Sequence, residues 1–504
     1  MKIDFEKNVV SISRGEGKEI IRLPKTENQE YRIETPDPHL ARVWVYENAS
    51  EFLISLSEAD IAKALFDERK QIERVFDAGL VGVKLTLAQT PLAPTIMQGV
   101  CGLPGQVSMR VGTSLSLTDG LENIKPKIAP VSTTPDELID YLIEKYRAKL
   151  SNAETAIVLF SGGWDSRLEL ALVRESLPKA ARIVLAHVRT NSHELETVQS
   201  IAMKIRATLV VADADKLLQT GMAWPSMMSR ARSESTWRPT VPIYGALMAV
   251  LKAQLKNSVV FGFCPFPLKG RDYDRIIDTQ APTWSRVRII KPEKQVLEML
   301  GCRSEHYSEV QQRVWTSLLS GTQDWTTDQR QDWLNWNGYY ANGYAHRVRT
   351  LHTIAIDPIY AHNDVVSRFM GLSENCKRGT AFIDYALKRI APDFEDLPIL
   401  ASTGDISRGT EFDGGSFSDA ATNNSPEGMF SVLNRVPEDQ YEPEFLADPL
   451  QYRMLVLKTL IRSEGEHGNF VDQILKVGDE FGGAFGINAA QVADFIISTT
   501  RKRV

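Results

Sequence analysis

Four short apolar runs, TAIVLF at 155–160, RIVLAHV at 182–188, TLVVAD at 208–213 and SVVFGF at 258–263, constrain this chain more than any other feature. Runs of this length and composition read as buried strands. Between them lie segments with helical spacing, at 168–177, 194–206 and 243–255. Strands alternating with helices predict a parallel, doubly wound α/β sheet.

The first run ends in Ser161-Gly162-Gly163-Trp164-Asp165-Ser166. Ligands of such sheets bind beyond the carboxyl ends of the strands. Glycines let backbone N–H groups close on an anion, and the following helix adds the positive end of its dipole. Ser161 and Ser166 add hydroxyls. Asp165 repels phosphate, so its expected role is to hold Mg²⁺, a hard cation that takes oxygen ligands. The loop has no lysine and is not a Walker loop, which needs G-x-x-x-x-G-K-[ST]. At average residue frequencies S-G-G-x-D-S arises by chance in roughly one chain of this size in a thousand, so a bare strand–turn–helix is the weaker reading.

Upstream, residues 1–133 read as a strand-rich α+β domain: VVSIS, EIIRLP, YRIE, ARVWVY, FLISLS, VGVKLTLAQ and GQVSMRV are short β-type runs. One helix interrupts them, opening at Ser57 with Asp60 at capping distance. Thr134-Pro135-Asp136-Glu137 is a strong helix start, after which Leu138, Leu142, Tyr146 and Leu150 line one face. Residues 134–400 are expected to form the nucleotide-binding domain, 401–430 a polar linker or loop and 431–504 a helical C-terminal segment. At 504 residues the chain is too long for one core. Its net charge of −6 and 24% charged residues fit a globular protein with no nucleic-acid partner. No apolar run approaches the ~20 residues of a membrane span. The four scattered cysteines form no C-x-x-C pair, and reduced thiols in the cytoplasm are expected.

SGGWDS resembles the PP-loop of the N-type ATP pyrophosphatases, which cleave ATP between its α and β phosphates. Within that superfamily the chain is similar to the asparagine synthetase branch. PGQVSMRVGTSLSLT resembles the end of that branch's N-terminal domain, and TTPDELIDYLIEKYRAKL the helix leading into its loop. PIYAHNDVVSRFMGLSENCKRGTAFIDYALKRIAPDFEDLP resembles its late segment. The resemblance implies an ATP- and Mg²⁺-dependent ligase that activates a carboxylate as an adenylate, releases pyrophosphate and passes the acyl group to an amine, giving an amide. Ser161, Gly162, Gly163, Asp165, Ser166 and Gly262 are implied ATP contacts, with Ala186, His187 and Val188 bordering the adenine. Small-molecule or peptide substrates are implied, with a homodimer or a partner protein left open.

Three departures from the family follow. Lys2 replaces the nucleophilic cysteine of glutamine-using members, so the N-terminal domain resembles an inactive Ntn glutaminase domain, as in the β-lactam synthetase and lasso-peptide cyclase relatives. No Asp-Glu follows the fourth strand; Asp272 and Asp274 are the substitute metal ligands. Thr380 stands where the family's late lysine is expected, leaving Arg378 and Lys388 as the candidate cations for the amide-forming step. Two other readings stay open: a nucleotide-binding scaffold without turnover, and an enzyme whose nucleophile comes from a partner protein. His187 reads better as a packed residue than as a base, and Trp333 and Trp336 as core. Arg238 is open between a phosphate or carboxylate partner and a structural acid. Arg167 is open between an anion contact and a solvated helix face.

Overall fold

The computed structural model describes residues 2–4, 9–11, 20–35, 43–86, 95–103, 105–189, 192–213, 257–262, 319–334, 359–377, 380–394, 397, 399–400, 406–408, 468–481 and 483–500, with residues 251, 255, 296, 298–300 and 336. They form a mixed α/β structure: a strand-rich N-terminal region, then a parallel four-stranded sheet flanked by helices.

Among the described residues, nine strands belong to the N-terminal region: β1 (Lys2–Asp4), β2 (Val9–Ser11), β3 (Ile21–Pro24), β4 (Glu30–Glu34), β5 (Val43–Glu47), β6 (Glu51–Ser55), β7 (Val100–Leu103), β8 (Val107–Gly112) and β9 (Lys125–Pro126). They build two sheets, ordered β1-β2-β4-β8-β9 and β3-β6-β5-β7. Alternation decides which faces meet. Ile33, Met109 and Val111 of the first sheet share a core with Leu23, Val45 and Ile54 of the second. The opposite side chains of the second sheet, Trp44, Tyr46 and Leu53, are buried too, in a cluster shared with α1 (Glu58–Arg69) and α3 (Ala78–Thr86). The Ser57 side chain caps α1 by accepting from the Asp60 N–H, as its spacing predicted. Lys70 then turns left-handed and ends the helix, and a single turn, α2 (Ile72–Val75), follows.

The run VGVKLTLAQ corrects one expectation. Its alternating β-branched residues read as a strand, yet Ala78–Thr86 is helix. Asp77 accepts from the Leu80 N–H and opens the helix, and Val81 and Leu85, four residues apart, are fully buried beside α13 (Gly483–Thr500). The cap and this tertiary face outweigh a modest local β preference. A further helix, α4 (Leu117–Glu122), is opened by a Ser116–Asp119 capping box.

The second region begins with α5 (Pro135–Leu150), where Thr134 and Glu137 form the expected reciprocal cap and Leu138, Leu142, Tyr146 and Leu150 are fully buried. Next come β10 (Thr155–Leu159), α6 (Trp164–Ser176), β11 (Arg182–Arg189), α7 (Ser192–Ile205), β12 (Thr208–Asp213) and β13 (Ser258–Phe261). All pairings are parallel, in the order β12-β11-β10-β13. Ala156, Val158, Leu185 and Leu209 pack on α5 and α6, while Ile157, Val184, Ala186 and Val210 are buried on the other face. β10 is therefore covered on both faces, which explains its unbroken apolar run.

Later segments tie the regions together. α8 (Thr327–Leu334) places Trp333 in the core of the two N-terminal sheets, and Trp336 joins it. α9 (Asn363–Met370) sends Val365 and Phe369 into the parallel-sheet core and Val366 and Met370 into the N-terminal one. α10 (Glu374–Lys377), α11 (Ala381–Ile390) and α12 (Gly468–Phe481) complete the described helices named here, and α13 packs on α1 and α3. Within the stretch expected as a polar linker, Ile406–Arg408 (β15) pairs with Ile399–Leu400 (β14), and the rest of 401–430 lies outside the described residues. Among the described residues no helix is long and apolar enough to cross a membrane.

Candidate functional site

The chain runs from β10 through α6 and α7 to β11 and β12 on one side, then returns to place β13 on the other. The carboxyl ends of β10 and β13 thus flank the point where strand order reverses, where a crevice opens in sheets of this kind. Ser161–Ser166 occupies that point.

The loop's shape follows from its residues. Gly162 has φ +77°, in the left-handed region that side chains avoid. A Cβ there would lie 3.0 Å from Thr197 Cγ2 on α7. Gly163 is the N-cap of α6, and being glycine it leaves the first helical turn with no side-chain cap. The leading N–H groups of a helix lack intrahelical partners and carry its positive end, so this mouth suits an anion. The hydroxyls of Ser161 and Ser166 lie 3.3 Å apart at the same place, and Ser166 also donates to the Gly163 carbonyl at 3.0 Å. Ser161 is exposed, and Asp165, in the first turn of α6, is partly exposed. The five implied ATP contacts of the loop are together.

The loop is held from below by Arg167. This side chain is fully buried. Its Nε donates to the Gly162 carbonyl at 2.9 Å, and a terminal nitrogen donates to the carbonyls of Leu397 at 3.1 Å and Phe394 at 3.5 Å. Burial lowers the guanidinium pKa to about 10, which leaves it charged at neutral pH. The solvated helix face is therefore corrected: Arg167 is a buried brace. The sequence carried one signal for it, since a cation in the first turn of a helix opposes the dipole and needs a compensating task.

Beneath the loop, the Phe160 N–H donates to the Ala186 carbonyl at 2.9 Å, and His187 Nδ1 lies 2.9 Å from the Phe160 carbonyl. A carbonyl only accepts, so Nδ1 carries the proton. Ala186 and His187 are buried and lock β11 to the root of the loop, and His187 is packed as expected. Val188 pairs with Ala212 in the sheet. A Cβ on Gly262 would meet the Leu159 side chain at 2.7 Å, so glycine lets the end of β13 close on β10. Thr197, Val198 and the carbonyls of Phe394 and Leu397 also shape the loop, and no local sequence signal marks them.

Other expected residues are elsewhere. Lys388, half-exposed on α11, pairs with Asp384 of its own helix at 2.9 Å. Thr380 is the N-cap of that helix. Arg238, Asp272, Asp274 and Arg378 lie outside the described residues. Among the described residues no group of three or more His, Cys, Asp or Glu is arranged to hold a metal. Asp165 fits the narrower requirement of Mg²⁺ bound with a nucleotide, one or two carboxylates plus phosphate oxygens.

A buried polar pair joins α5 to α6. Tyr146 donates to Glu169 Oε1 at 2.6 Å, and burial raises the Glu169 pKa to about 7. Between α8 and α10, Lys377 is fully buried and its Nζ lies 2.6 Å from carboxylate oxygens of both Asp328 and Asp332. Burial raises the Asp332 pKa to about 7 despite the lysine. Comparison with protein-family models and with curated proteins finds no match for this chain.

Proposed function

We propose that the chain is an ATP-dependent ligase of the asparagine synthetase type, releasing AMP and pyrophosphate and lacking glutaminase activity of its own. The observation that carries this reading is the Ser161–Ser166 loop: a left-handed glycine and an uncapped helix start at the switch point of a parallel sheet. The proposal extends the described sheet to the doubly wound PP-loop fold. The loop N–H groups and the Ser161 and Ser166 hydroxyls cradle the pyrophosphate. Asp165 holds Mg²⁺, which when bound neutralises phosphate charge. A carboxylate substrate attacks the α phosphorus, pyrophosphate departs into the cradle, and an amine then displaces AMP to leave an amide.

The test uses α-labelled ATP, Mg²⁺ and pools of candidate acids and amines with the full chain. AMP and pyrophosphate are expected, and Asp165→Ala should abolish their Mg²⁺-dependent release. ADP as the product refutes the mechanism. Mg·ATP binding without turnover in every pool moves the assignment to a nucleotide-binding scaffold.

A further inference from the structure

We infer that Arg167 is the positioning residue of the glycine loop, aiming its N–H groups outward by holding its carbonyls from beneath. The inference rests on the proposed use of the loop as a pyrophosphate cradle. In a trans peptide the C=O and N–H point in opposite directions. Arg167 Nε binds the Gly162 carbonyl at 2.9 Å from the buried side, which turns the Gly163 N–H toward the mouth of the loop. The Gly163 carbonyl accepts from the Arg167 N–H at 3.0 Å and from the Ser166 hydroxyl at 3.0 Å, which turns the Trp164 N–H the same way. One residue thus supplies an inward bond to each of two consecutive peptides.

The other end of the guanidinium fixes where this brace stands. Its bonds to the Leu397 and Phe394 carbonyls tie the loop to the chain just after α11. Arg174, two turns along α6, grips the same segment through paired bonds of 2.7 and 2.6 Å to the Asp393 carboxylate, with its guanidinium 4.7 Å from the Phe394 ring centroid. Two arginines therefore hold Asp393, Phe394 and Leu397 along α6. Arg167 carries this strap to the loop, and Arg174 anchors it about 10 Å further along the helix, at ~1.5 Å per residue. The planar fork of arginine spreads its donors over separate nitrogens in fixed directions, so it spans carbonyls on opposite sides that the single nitrogen of a lysine reaches only if they converge on one point. Its charge, held in a buried setting of low dielectric, also adds to the positive potential under the loop.

The experiment compares Arg167→Lys, Arg167→Gln and Arg174→Gln in the full chain. Three quantities are read: melting temperature, hydrogen exchange of the backbone over 160–166, and calorimetric affinity for pyrophosphate with Mg²⁺. Both Arg167 variants are expected to speed loop exchange and weaken pyrophosphate binding about tenfold or more, the scale of a lost hydrogen bond to a charged group. Arg174→Gln is expected to lower the melting temperature while leaving loop exchange and pyrophosphate affinity as in the wild type. Wild-type loop exchange in either folded Arg167 variant overturns the inference. So does an equal loss from Arg174→Gln, because the effect is then general loosening of α6. A wild type that binds neither pyrophosphate nor Mg·ATP, with faster loop exchange in Arg167→Lys, removes the cradle and leaves the positioning role standing. The glutamine variant serves if the lysine variant does not fold.

Discussion

Replacing Gly162 with alanine tests the loop at its most constrained point. Two costs can be separated. An L-residue held at φ +77° carries about 1–2 kcal/mol of backbone strain. The added Cβ also meets Thr197 Cγ2 at 3.0 Å, tighter than ordinary contact by a few tenths of an ångström. If the chain escapes the strain by rotating the peptide, the Gly162 carbonyl leaves Arg167 Nε, and a hydrogen bond to a charged donor worth about 1.5–3 kcal/mol is lost. Either route predicts a loss of about 1–3 kcal/mol. For a cooperative unit of about 150–250 residues that is about 2–4 °C in melting temperature per kcal/mol. Thr197→Ser removes Cγ2 and keeps the hydroxyl, so it separates the costs. Gly162→Ala combined with Thr197→Ser should recover the steric part, about 1 kcal/mol or less, and retain the backbone strain. Melting curves of the four proteins, with pyrophosphate titrations on each, complete the cycle. If Gly162→Ala melts and binds like the wild type, the left-handed turn is dispensable and the cradle reading loses its geometric basis. Full recovery in the double variant would show that strain at Gly162 was never the issue.

Other perturbations test the surroundings. Glu169 is raised in the folded state from its ordinary 4.5 to about 7, so its contribution to stability is complete below about pH 4.5 and is lost as pH rises through 7. Glu169→Gln removes that loss, and its stability advantage over the wild type should grow by about 2–3 kcal/mol between pH 5 and 8 in denaturant titrations. A constant gap would show that Glu169 titrates normally. Lys377→Met strands the Asp332 carboxylate and should cost about 3–5 kcal/mol at pH 8, less at pH 5 where Asp332 is protonated; a pH-independent cost refutes the pairing. Gly262→Ala overpacks Leu159 and should cost about 1–3 kcal/mol. Adding Leu159→Ala should relieve this only partly, because the Leu159 Cβ itself lies 2.8 Å from the new methyl. Complete relief would show that the two strands can shift apart.

Where the chain carries its own local instructions, the sequence was a good guide. The Thr134–Glu137 box, the Ser57 cap, the apolar face of α5 and the four apolar runs became the elements they spelled, because each depends on neighbours a few residues away. The loop was legible for the same reason: its glycines, serines and acid are consecutive. VGVKLTLAQ misled because its alternation and its helical face are both present in the same letters. The choice was made by α13, some 400 residues later in the chain.

The sequence by itself determined which segments could be strand or helix and which six residues could cradle an anion. The tertiary structure decided how those six are held. Thr197 walls the turn from α7, and Gly262 lets β13 close against Leu159. Arg167 turns inward to reach carbonyls at 394 and 397, more than 220 positions away. It likewise decided that Trp333, Trp336, Val366 and Met370 complete the core of the N-terminal sheets. Periodicity records that a side chain is to be buried. What it is buried against is set by contacts between distant segments, whose partners leave no mark on the local pattern.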